Sequence, residues 1–232
     1  MNKTINNREP FFRYFAWFLL GVVIASFGGK AVFDTEGLPP ITYLHHLHSV
    51  AMLSWFLLFA AQPTLIHLGK LRAHRLLGKL SPLVVLIFLS FSVMISQLNW
   101  HRQGDPLIIT ANSVNLTLFI GFYISAILWR GSAAAHKRLM LYATITLMGP
   151  AYSRIPEIFD QSPLLVVPLM LGTLIAPVVH DIIVHRRVHP ATWVGFALMV
   201  ATIPVMHGLS GSPAWAAFLE NVLGAPDLGI AQ

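Results

Sequence analysis

The sequence predicts an all-α integral membrane protein: a seven-transmembrane-helix bundle with its N-terminus in the cytoplasm, its C-terminus outside and a short C-terminal interfacial helix. Three observations carry this. Of 232 residues, 56% are hydrophobic and only 10% charged, too few charges for a surface that faces water. Those charges divide the chain into uncharged runs at 14–29, 37–69, 80–101, 106–129, 139–153, 161–180 and 188–219, and about 20 apolar helical residues cross a bilayer core. The basic residues also alternate. Lys3, Arg8, Arg13, Lys70, Arg72, Arg75, Lys79, Arg130, Lys137, Arg138, Arg186 and Arg187 fall on every second connection, while Asp34, Glu36, Asp105, Glu157, Asp160, Glu220 and Asp227 occupy the others. Short cytoplasmic loops collect Lys and Arg, which orients the odd-numbered helices outward.

The first span, at about 12–33, follows three basic residues and reads as a retained anchor, because no small-x-small cleavage site follows it. The second, 41–68, is free of charge but rich in histidine. The third, 76–100, leaves a basic connection. The fourth, 106–129, opens on Asp105-Pro106 and carries Asn112, Ser113 and Asn115, residue types that join helices by hydrogen bonds in lipid. The fifth, 133–154, contains a Gly149-Pro150 break. The sixth and seventh run over 162–184 and 190–208, and Ser212-Pro213 starts an interfacial helix over 212–223. Pro63, Pro82, Pro150, Pro168, Pro177 and Pro204 read as kinks that neighbouring helices accommodate. No run leaves room for a separate soluble domain.

Cysteine is absent, which excludes disulfides, thiolate metal sites and thiol catalysis. The net charge of +6 is explained by topology, so no nucleic-acid partner is expected. No lysine lies in the interior of a span, away from its ends, to hold retinal as a Schiff base.

Histidine is the anomaly. Eleven are present, all near span ends: His45, His46, His48, His101 and His207 outside, and His67, His74, His136, His180, His185 and His189 inside. Histidine is the commonest metal and haem ligand, although interfacial histidines also anchor helices in headgroups. His45 and His48 share a helix face, and His207 arrives at similar depth. Arg154 either pairs with Glu157 or, drawn inward, suits an anion such as a haem propionate. RAHRLLG, AAHKRLM and RRVHPAT form a weak repeat placing His74, His136 and His189 among basic residues, a ring suited to anions. His180 and Asp181 are the only adjacent His and acid. Asp181 can orient a histidine ligand, ligate a metal itself, or pair with Arg186 or Arg187. His48/Met52 and His136/Met140 have a spacing that suits Cu(I) as well as packing.

The runs HSVAMLSWFLLFAAQ, AHRLLG, AHKRLMLYATI and RRVHPATWVG resemble a broad set of bacterial multi-helix membrane proteins without an assigned activity. The likeness covers Tyr43 to Gly195 and carries His48, Trp55, Gln62, His74, Arg75, Gly78, His136, Arg138, Met140 and His189. It implies a bacterial inner-membrane location. Histidines near both faces also resemble the cytochrome b561 group, which implies haem b held by histidine pairs. The topology and polar cluster resemble the adiponectin receptor and alkaline ceramidase zinc hydrolases, but His189-Pro190 interrupts the only candidate for their last-helix histidines.

The leading expectation is a redox protein in the lipid bilayer, binding haem b, or alternatively Zn, Fe or Cu, and exchanging electrons with quinone or a membrane redox partner. The expected haem pairs are His48 with His207, and His67 with His180 or His136. The expected metal set comprises His45, His48, His207, His74, His136, His189 and Asp181. The alternatives are a zinc hydrolase with Asp181 or Glu157 as base, and an accessory subunit whose histidines only anchor helices. Whether the chain is an enzyme stays open.

Overall fold

A computed structural model describes residues 9–33 and 41–226; Lys3, Arg8, Asp34, Glu36 and Asp227, used above for topology, lie outside them. Among the described residues the chain forms nine α-helices and a 3₁₀ turn, with no strand. They are α1 (Pro10–Phe33), α2 (Tyr43–His67), α3 (Leu71–Gln103), α4 (Pro106–Leu128), α5 (Ala133–Ile145), α6 (Gly149–Ile158), α7 (Val166–His185), α8 (Pro190–Ser210) and α9 (Pro213–Leu223). Helices α1, α2, α3, α4, α7 and α8 are each long and apolar enough to cross a membrane. Leu83, Leu86, Ile183, Val184, Val194 and Val205 point outward and are exposed, a surface matched to lipid rather than water.

Local chemistry sets the helix ends. Proline occupies the first turn of α4 and α8, where its missing N–H costs nothing. The Asp105 carboxylate accepts from the Leu107 N–H at 2.8 Å, and Ser132 caps α5. Gly104 closes α3 with φ 63°, a left-handed conformation that glycine adopts freely.

The fifth span is divided at the Gly149-Pro150 break read from the sequence. Pro150 has no N–H to continue the ladder, and the chain tightens into i→i+3 bonds from Leu147 N–H to Thr144 O and from Met148 N–H to Ile145 O, both 3.1 Å. The result is α5 followed by α6. α5 packs on α4, α8, α7 and α1, and every residue from Leu141 to Met148 is buried, so α5 is the inner helix of the bundle. α6 packs between α1 and α7.

The helix ends collect into two groups. At one end, the start of α1 meets α5 and α7 through Glu9, Lys137 and His185. The Gln62 amide near the end of α2, with its nitrogen turned to His74, donates to the His74 ring at the start of α3 and accepts from the Gly78 N–H at 3.1 Å. The end of α4 accepts from His136 of α5 at Ala126 O, 2.8 Å. At the opposite end Lys30 of α1 pairs with Glu157 of α6 at 3.1 Å. There α9 folds back on α3 and α4, with Trp215 donating to Thr110 Oγ1 at 2.7 Å and Trp100 to Gly224 O at 2.9 Å. Asn112 joins α4 to α3 by donating to Ser96 Oγ at 3.2 Å.

Candidate metal centre

The end bearing Lys70, Arg72, Arg75, Lys79, Arg130, Lys137, Arg138, Arg186 and Arg187 also holds two carboxylates, Glu9 and Asp181, and the fold brings both into one cluster. Asp181, on the last turns of α7, is fully buried. It accepts from Arg138 Nε at 3.0 Å and from Arg138 Nη2, from Thr192 Oγ1 at 2.6 Å and from the His189 N–H at 3.1 Å. Of the three roles left open for Asp181, the salt bridge forms, but with a different partner from Arg186 or Arg187: the carboxylate turns into the bundle and takes the buried Arg138 of α5. With its oxygens saturated by these donors, Asp181 is neither a free metal ligand nor a base.

Beside it stand Glu9, His180 and His185, whose ligand atoms all lie within 4.8 Å of one another. The Glu9 carboxylate precedes Pro10 at the start of α1. Its Oε1 is 2.8 Å from Lys137 Nζ and 3.5 Å from His185 Nε2, and its Oε2 is 3.8 Å from His180 Nε2. Oε2 is buried and has no hydrogen-bond partner among the described residues. His180 stacks on Phe11 with ring centroids 4.2 Å apart, and its Nδ1 faces Asp181 Oδ1 at 3.5 Å. That Nδ1 is buried and makes no hydrogen bond among the described residues; the ring lies between two carboxylates, Asp181 on its Nδ1 side and Glu9 on its Nε2 side, with Phe11 against its face. His185 ends α7; Arg186, at φ 58°, turns the chain away immediately after it.

Burial works to raise the Glu9 carboxyl, but the Lys137 hydrogen bond and charge, with His185 and Arg138, hold it below its ordinary value. A group depressed in the folded state stabilises above its unfolded value and loses that contribution as pH falls through the folded one. Thermal melts of wild type and Glu9→Gln should therefore differ at pH 7, and the gap should narrow as pH falls from the ordinary carboxylate range, about 4, through the depressed folded value; a gap that does not change with pH would show that the carboxylate charge is not what ties α1 down.

The other histidines divide by what occupies Nδ1. His45 accepts the Thr42 N–H at 3.1 Å, and His189 accepts the Ala191 N–H at 3.1 Å; both cap helices, and an Nδ1 that accepts leaves the proton on Nε2, a donor rather than a ligand. His74 is in the same state through Gln62. Burial, followed by the positive charge of Arg138, pushes His189 below its ordinary value and keeps it neutral. His136 is the opposite case. It donates Nδ1–H to Ala126 O and keeps a lone pair on Nε2.

His207 is exposed at the end of α8, which packs on α4, α5, α7 and α9, whereas His48 sits on α2, which packs on α1 and α3. No polar or ring contact joins His48 to His207, or His67 to His180 or His136, among the described residues. His48 Nδ1 and His101 Nδ1 are buried without partners there, while His46 and His67 are exposed. Of the two alternatives for Arg154, the salt bridge with Glu157 does not form among the described residues, since Glu157 bonds Lys30; the Arg154 guanidinium lies 4.2 Å over Phe27 and donates to Pro150 O. Glu157 is therefore at the opposite end from the cluster and cannot act as its base. Met52 Sδ accepts from Ser92 at 3.9 Å, a packing contact.

Beside His185, which the expected ligand sets leave out, Glu9 is the member of the cluster that sequence reasoning missed. The available signal was its sign: with Asp181 it is one of two acids at an end crowded with lysine and arginine. Comparison of the chain with protein-family models, curated proteins and solved structures gave no match.

Proposed function

We propose that the protein is a seven-pass membrane protein with a metal centre, formed by Glu9, His180 and His185, at its cytoplasmic end. The paired helix ends support seven passes when α5 and α6 are counted as one. The crowding of Lys and Arg at the α1-start end supports an N-terminus in the cytoplasm and a C-terminus outside. The bacterial inner membrane is the location this topology and the sequence resemblance favour.

The observation that carries the metal reading is the meeting of three ligand atoms around a buried, unpartnered carboxylate oxygen. Two imidazoles and one carboxylate are the donor set of zinc and of ferrous iron, not of calcium or magnesium. Three protein ligands leave a coordination position open, so a bound metal would supply Lewis-acid chemistry there. Within the chain, Phe11 stacks on the His180 ring and sets its plane, and Arg138 holds the Asp181 carboxylate away from the metal position. Zinc would favour the hydrolytic reading and iron the redox one.

The test is elemental analysis and a reduced-minus-oxidised visible spectrum on protein purified in detergent. The expected result is one zinc or iron per chain and no Soret band, with metal lost in His180→Ala and Glu9→Gln and kept in His207→Ala. A Soret band with a sharp reduced α-band would establish haem b and overturn this reading in favour of histidine-pair electron transfer.

A further inference from the structure

The cluster already contains a cation. Lys137 Nζ lies 2.8 Å from Glu9 Oε1, the same oxygen that faces His185 at 3.5 Å, so the ammonium occupies one side of the position a metal would take. Lys137 is largely buried, its side chain 24% exposed, and its ammonium also lies 4.5 Å over the face of Phe12, which gives it a second resting place against an aromatic ring. Its neighbour Arg138 has no such freedom, since Asp181 holds it.

Resting on the metal reading above, we infer that Lys137 is the resident cation of the site, that metal displaces it from Glu9, and that the released ammonium binds an oxyanion carried by a second ligand at the metal's open position. Two positive charges cannot share one carboxylate oxygen without strong repulsion, so metal and the Lys137–Glu9 pair compete. Once the metal neutralises Glu9, the ammonium stands beside it with no carboxylate of its own, in the field of the buried Arg138. A phosphate or carboxylate oxygen restores the balance, which makes anion binding and metal binding mutually reinforcing. The substrate class is thus an oxyanion-bearing molecule, either a lipid headgroup reaching the bundle end or a free anion.

The test measures zinc affinity by chelator competition, with full-length protein in phosphatidylcholine nanodiscs, alone, with methyl phosphate, or with phosphatidylglycerol added to the disc. In wild type, methyl phosphate or phosphatidylglycerol should tighten zinc by about tenfold, the arm that does so naming the source of the anion. Lys137→Gln should bind zinc about tenfold more tightly than wild type without an anion, and the anion should then change nothing. Lys137→Arg, which keeps the charge, should keep the anion dependence and shows that the site survives substitution. Weaker zinc binding in Lys137→Gln, or an anion effect that survives there, overturns the inference while leaving the metal centre standing. Zinc bound by none of the three proteins overturns both.

Discussion

Replacing Asp181 with alanine should destabilise the folded protein by about 3–5 kcal/mol, the range for removing one partner of a buried ion pair. The size follows from what is left behind. Arg138 is 2% exposed, and without the carboxylate its guanidinium keeps the Ala134 carbonyl at 2.9 Å and the Phe12 ring at 5.5 Å but no anion. The Thr192 hydroxyl and the His189 N–H lose their acceptor in the same step, so the joint between α7 and α8 loosens along with that between α5 and α7. Asp181→Asn, which keeps the shape and one acceptor oxygen, should cost less. The double variant Arg138→Met/Asp181→Leu should recover most of the loss, because a buried pair replaced by apolar groups of similar volume is often neutral. Unfolding in mixed detergent micelles reads all four proteins. If Asp181→Ala lies within about 0.5 kcal/mol of wild type, the pair does not hold the bundle end together.

Much of this architecture was legible because span length and charge alternation are direct consequences of the bilayer. The uncharged runs locate α1, α2, α3, α4, α7 and α8, and Gly149-Pro150 marks where the fifth span divides. What the runs conceal is direction around each helix. Arg138 reads as one more topological charge among its neighbours, yet it faces inward because α7 supplies Asp181 on the adjoining surface. Glu9 reads as a flanking residue because a search for apolar runs discards what lies between them. The histidines illustrate the limit from the other side. His189 precedes a proline and His45 lies three residues after Thr42, positions from which a side chain caps a helix, so their backbone role had a local signal that interest in metal ligands obscured. The pairing of His48 with His207 had none, since it depends on which helices are neighbours, and equal depth does not establish that.

Gly195→Ala should be the most disruptive single-methyl change in the bundle. A Cβ built at Gly195 of α8 would fall on the ring of Tyr142 in α5, with even Cε2 only 2.6 Å away. Tyr142 has no room to retreat: it is 0% exposed, packs against Phe122 at 6.1 Å and reaches Leu174 O with its hydroxyl at 3.5 Å. Two effects oppose one another. Alanine favours a helix over glycine by about 1 kcal/mol, while overpacking a tight core costs about 1–3 kcal/mol and occasionally more. Here the steric effect wins, because relief requires α8 to move off the inner helix, and α8 also carries Thr192 to Asp181. The two effects separate in a double-mutant cycle. In a Tyr142→Ala background the clash is gone and only the helix preference remains, so Gly195→Ala should there become neutral or stabilising, even though Tyr142→Ala itself costs about 3–5 kcal/mol as a cavity. Thermal unfolding of the four proteins in one detergent decides it: equal effects of Gly195→Ala in both backgrounds would mean that α5 and α8 do not approach at this glycine.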